Sequence, residues 1–184
     1  PDNTGRGCST ANPAIVPSCS DTATVTVVAP TFTKDLISSS EPSTTGSNLT
    51  IGETVTFHMT VRVPEGTTNT LSVTDTLPII PGNPGTLSYV SSRVVSIGGS
   101  TTIGATSGGN ISNVGIAIGA PGSVSGQSIT FNLASGGAIT NTFDQNTDVR
   151  DLIVIEVVAR VVNIPENVNG DLLTNTATLT YDNG

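Results

Sequence analysis

Glu53-Thr54-Val55-Thr56-Phe57-His58-Met59-Thr60-Val61-Arg62-Val63 is the stretch that decides the fold. Successive side chains of an extended chain point to opposite faces. Val55, Phe57, Met59, Val61 and Val63 therefore share one side, and Thr54, Thr56, His58, Thr60 and Arg62 the other. That alternation predicts a strand with one face in a core and the other in water. Period-two patterning recurs at 22–28, 31–37, 70–77, 87–97, 128–133, 151–162 and 172–181, and helical periodicity is missing. Much of 152–158 is apolar on both faces, as suits a central strand. Pro and Gly clusters at 78–85, 98–109, 119–126 and 165–170 punctuate the strands. Strands and turns in this number predict an all-β, immunoglobulin-like antiparallel β-sandwich. Residues 98–126, rich in Gly and Ser and poorly patterned, read as an insertion or extended loop that has room for short strands.

Three polar side chains sit on the apolar side of their strands. Lys34, the only lysine, shares its face with Phe32 and Leu36. Asp75 falls in phase with Leu71, Val73 and Leu77, and Asn175 with Leu173, Ala177, Leu179 and Tyr181. Burying an amine, a carboxyl or a carboxamide singly is costly, so the three are expected to meet. Their meeting makes a Lys34–Asn175 amide bond chemically accessible. A buried Lys34–Asp75 ion pair with Asn175 as hydrogen-bond partner suits the same pattern.

Composition narrows the function. Charged residues are 11% of the 184, against roughly 25% in an ordinary soluble domain. Six basic residues against 14 acidic ones give a net charge of −8. Binding nucleic acid or an anionic membrane needs clustered cations, so neither is expected as a partner. Aromatics are 3% and Trp is absent, which leaves little for stacking on sugars or bases. No apolar run approaches the roughly 20 residues that span a bilayer. The Thr-, Ser- and Asn-rich surface suits an extracellular, cell-surface protein. The chain opens Pro1-Asp2-Asn3-Thr4 with no visible signal peptide, and reads as a piece of a longer exported precursor. Cys8 and Cys19 lie in a Pro/Ser/Asn-rich stretch without a His, so metal spacing is missing. A local disulfide is preferred to free thiols there.

The chain also echoes itself. Asp21-Thr22-Ala23-Thr24-Val25-Thr26-Val27 matches Asn175-Thr176-Ala177-Thr178-Leu179-Thr180-Tyr181 by identity or conservative change at every pair except Val27/Tyr181. Tandem repetition explains this: 1–29 would be an N-terminal segment ending in the last strand of a preceding unit, and 30–184 one full domain. Thr-Ala-Thr is also simply common in Thr-rich strands. On the tandem reading the partners are neighbouring copies or repeats, head to tail, with 21–28 available for strand addition.

Residues 30–181 resemble the DUF11 repeats of bacterial surface proteins and the related isopeptide-forming domains of fimbrial subunits and adhesins. The resemblance is carried by Phe32-Thr33-Lys34, by Gly52-Glu53-Thr54-Val55-Thr56-Phe57 with Thr60-Val61, by Val73-Thr74-Asp75-Thr76-Leu77-Pro78, and by the 175–181 stretch quoted above. In isopeptide-forming members a first-strand Lys joins a last-strand Asn beside a catalytic Asp or Glu. The resemblance thus implies Lys34 and Asn175 as crosslink partners and Asp75 as promoter. Glu156, in phase with Val154 and Val158, is the reserve carboxyl. Burial lowers the lysine pKa and frees the amine, while a protonated Asp75 polarises the carboxamide. This happens once per molecule, so no turnover enzyme is implied, and no cofactor.

Other candidates are weaker. His58 stands on a threonine face with no second His or nearby Cys, as a solvated residue does. Asp144, Asp148 and Asp151 place oxygen ligands in one short stretch, a weak calcium candidate without an EF-hand's Gly and closing Glu. An ordinary acidic turn is the preferred reading. Asn48 and Asn110 head glycosylation sequons. Two functions are expected from these features: a structural repeat or subunit of a surface fibre, stalk or adhesin, or a surface module whose 98–126 loop contacts a receptor or glycan.

Overall fold

The computed structural model describes residues 24, 27–41, 43–44, 47–79 and 86–182. Within them lie eleven strands: β1 (Thr31–Ser39), β2 (Thr54–Arg62), β3 (Gly66–Thr68), β4 (Thr70–Thr76), β5 (Leu87–Ile97), β6 (Ile111–Ser112), β7 (Ser123–Ser125), β8 (Ser128–Asn132), β9 (Ile139–Asn141), β10 (Leu152–Val161) and β11 (Thr176–Asp182). The two main sheets run β1-β2-β10-β5 and β11-β4-β8-β7, and a small third sheet runs β3-β9-β6. All the pairings between strands are antiparallel. The fold is an all-β sandwich of immunoglobulin-like type.

The alternation of β2 is realised residue by residue: Val55, Met59 and Val61 are fully buried while the threonines between them are half-exposed. β10 lies between β2 and β5, and its outer residues Leu152, Val154, Glu156 and Val158 are half-buried. Its inner residues Ile153, Ile155 and Val157 meet Leu71 and Val73 of β4 and Ile129 and Phe131 of β8 in one core. Each such side chain contributes about 1.5–3 kcal/mol through removal from water.

Residues 98–126 are packed into this body. Ile111, Val114 and Ile118 are buried in the main core, and β6 and β7 each join a sheet. The glycines there permit close backbone approach: a Cβ on Gly98, at φ +53°, would lie 1.8 Å from the carbonyl oxygen of Gly108.

β1 begins opposite Arg62, the last residue of β2, and β11 ends opposite Thr70, the first residue of β4. Residues 63–69 join those two points, so β1 starts and β11 finishes at the same end of the sandwich. At the far end β4 leads through Pro78 to Thr86, whose carbonyl accepts the Val162 N–H just past β10.

Two expectations need adjusting. The strand expected over 172–181 begins only at Thr176, because β4, its ladder partner, ends at Thr76. Asn175 therefore stands on the approach to β11. The stretch 22–28 lies mostly outside the described residues; Thr24, Val27 and Val28 are described, belong to no strand and are exposed. Cys8 and Cys19 also lie outside them. Among the described residues no helix is long and apolar enough to cross a membrane.

Candidate functional site

Lys34 sits in mid-β1, paired with Met59 of β2, and its side chain crosses from one sheet towards the other. Asp75, fully buried, comes from β4 of the facing sheet, where the parity of Leu71 and Val73 turns it inward. The two form an ion pair. The second oxygen of the same carboxylate, Oδ2, accepts from Nδ2 of Asn175 at 3.3 Å. The structure thus gathers the three polar residues of inward parity onto one carboxylate, between the sheets. The Lys34 amine also stands 5.0 Å from the centre of the Phe57 ring, close enough for a cation–π attraction while it is charged.

Burial disfavours the ammonium and pushes the Lys34 pKa below the usual lysine value; the hydrogen bond and charge of Asp75 oppose that shift and lose. Oδ1 of Asn175 is buried and lacks a hydrogen-bond partner among the described residues. A carboxamide held by its nitrogen with its oxygen idle is only half satisfied.

Glu156 is elsewhere. It projects from the outer face of β10, the face opposite to that of Lys34, and accepts from Nε of Arg93 at 2.8 Å on β5. His58 of β2 stands 3.2 Å from its other oxygen. Desolvation works to raise the Glu156 pKa, but the bonds from Arg93 and His58 outweigh it and hold the carboxyl below its ordinary value. The row follows from register, since Glu156 lies opposite both His58 and Arg93. The reserve role for Glu156 is corrected by this placement: parity with Val154 and Val158 put it on the outer face of a strand whose two faces are both apolar in sequence.

The three aspartates of the calcium candidate cluster around Arg150 and two amides. Arg150 Nη2 reaches Asp144 at 2.9 Å and Asp148 at 2.8 Å. Hydrogen bonds from Asn146 N–H and Asn110 hold the Asp144 pKa down, and those from Arg150 do the same for Asp148. Asp151, 3% exposed, receives Nδ2 of Asn141 at 3.1 Å and of Asn110 at 3.3 Å. It also closes a capping box around Val149–Asp151 by accepting the Asp148 N–H. Among the described residues no group of three or more His, Cys, Asp or Glu is arranged to hold a metal ion.

Sequence reasoning passed over Glu53, which is 2% exposed. Hydrogen bonds from Thr44 first, then Ser39 and the Thr50 N–H, bring its pKa down to about 2. It ties the β1–β2 connection to the start of β2. The signal was present, since Glu53 is in phase with Val55 and Phe57.

No protein-family model matches the chain, and no curated protein sequence matches it, so the likeness to DUF11 repeats rests on the residues quoted above. Among solved structures it is similar to the major pilin subunit BcpA of Bacillus cereus, at 16% identity and a TM-score of 0.45. A single-substitution variant of that pilin aligns at 18% identity and a TM-score of 0.47. Each alignment covers 83% of this chain and 35% of the pilin chain, so this chain spans about a third of that protein's length.

Proposed function

We propose that the chain is a structural unit of an extracellular fibre, stalk or adhesin, strengthened by an intramolecular amide bond between Lys34 and Asn175. The observation that carries the reading is the buried Asp75 carboxylate, bonded at one oxygen to the amine and at the other to the carboxamide. Proton transfer from Lys34 to Asp75 leaves a neutral amine and a carboxylic acid. A half turn of the Asn175 amide, a soft torsion, brings the idle Oδ1 to the acid, which polarises the carbonyl. The amine then attacks Cγ, the new Nζ–Cγ bond forms, the Cγ–Nδ2 bond breaks and ammonia leaves with the protons released. Asp75 ends as it began, and the product is an amide between the two sheets.

Mechanics supports the same reading. Because β1 starts and β11 ends at one end of the sandwich, tension on those ends peels the two strands from that end. A bond from Lys34, three residues into β1, to Asn175, just before β11, stops the peeling of β1 early and keeps the chain tied to the body even where β11 is drawn off its ladder. Intact mass under denaturing conditions tests the bond: a deficit of one ammonia, after accounting for Cys8 and Cys19, supports it. The full unmodified mass removes it and leaves an ion pair. A receptor- or glycan-binding role for 98–126 gains less support, since Ile111, Val114 and Ile118 are spent in the core and only the isolated Ile103 and Val124 are exposed among its large apolar side chains.

A further inference from the structure

Closing a bond between Lys34 and Asn175 releases ammonia between two packed sheets. One amide replaces another, so the exchange gains little in bond energy, and its direction depends on whether the ammonia escapes. On the core side the way is shut, since Met59, Val73 and Asp75 are fully buried. Towards the far end of the sandwich the site borders a cavity of about 960 Å³.

The wall of that cavity adjoins the reacting groups on three sides. Leu36 follows Lys34 on the same face of β1 and pairs with Phe57 of β2. Phe57 carries the ring that stands 5.0 Å from the Lys34 amine. Leu173 and Thr174 lead directly into Asn175.

The lining suits an amine. Among the described residues that form it there is no lysine or arginine, and the one charged residue, Asp171, is exposed. Asp75 stands at the inner end, holding the Lys34 amine. A path with a carboxylate at each end favours a cation over an anion at its two ends. Between them the wall of Leu36, Phe57 and Leu173 is apolar, which opposes a bare charge but not neutral ammonia or an alkyl stem. Passage is therefore in the neutral form, with the proton left or taken up at either end.

We propose that this cavity is an amine site: it carries ammonia away from Asn175, and in a chain lacking the Lys34 amine it admits a small unbranched primary amine to the same carbon. The proposal rests on the crosslink reading and extends it from one internal nucleophile to a class of external ones. The incoming alkylammonium passes a proton to Asp75, and the neutral amine attacks Cγ of Asn175. The new N–Cγ bond forms and the Cγ–Nδ2 bond breaks. The departing ammonia takes the proton back from Asp75 and leaves as ammonium, so the carboxylate is restored. An untethered amine forgoes the proximity that β1 gives to Lys34, which makes this reaction slower than the internal one.

The test uses full-length Lys34→Ala and propylamine, which restores the atoms that the substitution removes. Intact mass under denaturing conditions should rise by propylamine less one ammonia, with the adduct mapped to Asn175. Adding Asp75→Asn should abolish it. Lys34→Ser repeats the measurement if circular dichroism shows that Lys34→Ala does not fold. Leu49 lines the cavity from the β1–β2 connection, outside both sheets. Leu49→Trp fills the space, and combined with Lys34→Ala in a chain that still folds it should slow the adduct several-fold. An equal rate with Trp in place overturns the cavity as the route. No adduct in a folded variant, where the parent chain shows the ammonia deficit, overturns the amine site while the crosslink stands. An adduct beside a parent of full unmodified mass does the reverse: it sinks the crosslink and keeps the amine site.

Discussion

Asp75 and Asp151 are both buried carboxylates, one between the main sheets and one at the foot of β10, and they keep different company. Asp151 accepts two carboxamides and a backbone N–H, and Arg62 stands 3.6 Å away. Asp75 accepts one carboxamide and one amine. A buried carboxamide oxygen without a partner lies beside both, on Asn141 and on Asn175, so that feature does not separate them. The donor type does. Amides and guanidinium do not act as nucleophiles near neutral pH, whereas an amine with a depressed pKa does. One cluster is a structural knot, and the other has the parts for a bond.

The largest expected effect comes from taking the proposed bond away. Lys34→Ala and Asn175→Ala should each restore the full mass and cost about 2–5 kcal/mol, by analogy with a disulfide closing a long loop. Denaturant unfolding beside intact mass checks both. Asn175→Ala also leaves the amine free to titrate. Because the folded pKa lies below the usual 10.5, the unfolded chain binds the extra proton between the two values. The stability of that variant should therefore rise with pH across that window. A flat profile would contradict the burial argument for Lys34.

Next is Asp151→Ala, which strands two buried amides and one N–H. It should cost about 1–3 kcal/mol with no change in the ammonia deficit. If the deficit disappears as well, the two carboxylates are not independent and the comparison breaks.

A smaller, pH-limited effect is expected at Glu53. Its folded pKa of about 2 lies below the ordinary 4.5, so its contribution is complete above 4.5 and is lost as pH falls towards 2. Glu53→Gln should lower stability at neutral pH and flatten the acid limb of the profile between those values. An unchanged acid limb would remove Glu53 as the anchor of the β1–β2 connection. Smallest of all is Arg93→Ala, which removes one half-exposed partner of Glu156. It should stay within about 0–1 kcal/mol, and a larger loss would mean that the outer-face row acts as a coupled unit with His58.

By itself the sequence determined the strands and the facing of their side chains. Period-two alternation is a local property, and in β2 and β4 it placed Val55, Met59, Leu71 and Val73 correctly on the core side. The same parity singled out Lys34, Asp75 and Asn175, and read consistently it would have found Glu53 and Asp151 too. It failed at Glu156, where an apolar strand with a neighbour on each side offers no sequence distinction between inside and outside. It failed at the start of β11, because a strand lasts only as long as its partner, and β4 ends at Thr76. Tertiary structure decided which inward polar groups share one carboxylate. It also decided at which end β1 begins and β11 finishes. Those depend on register and on the crossing of two sheets, and contacts between residues a hundred positions apart leave no trace in local periodicity.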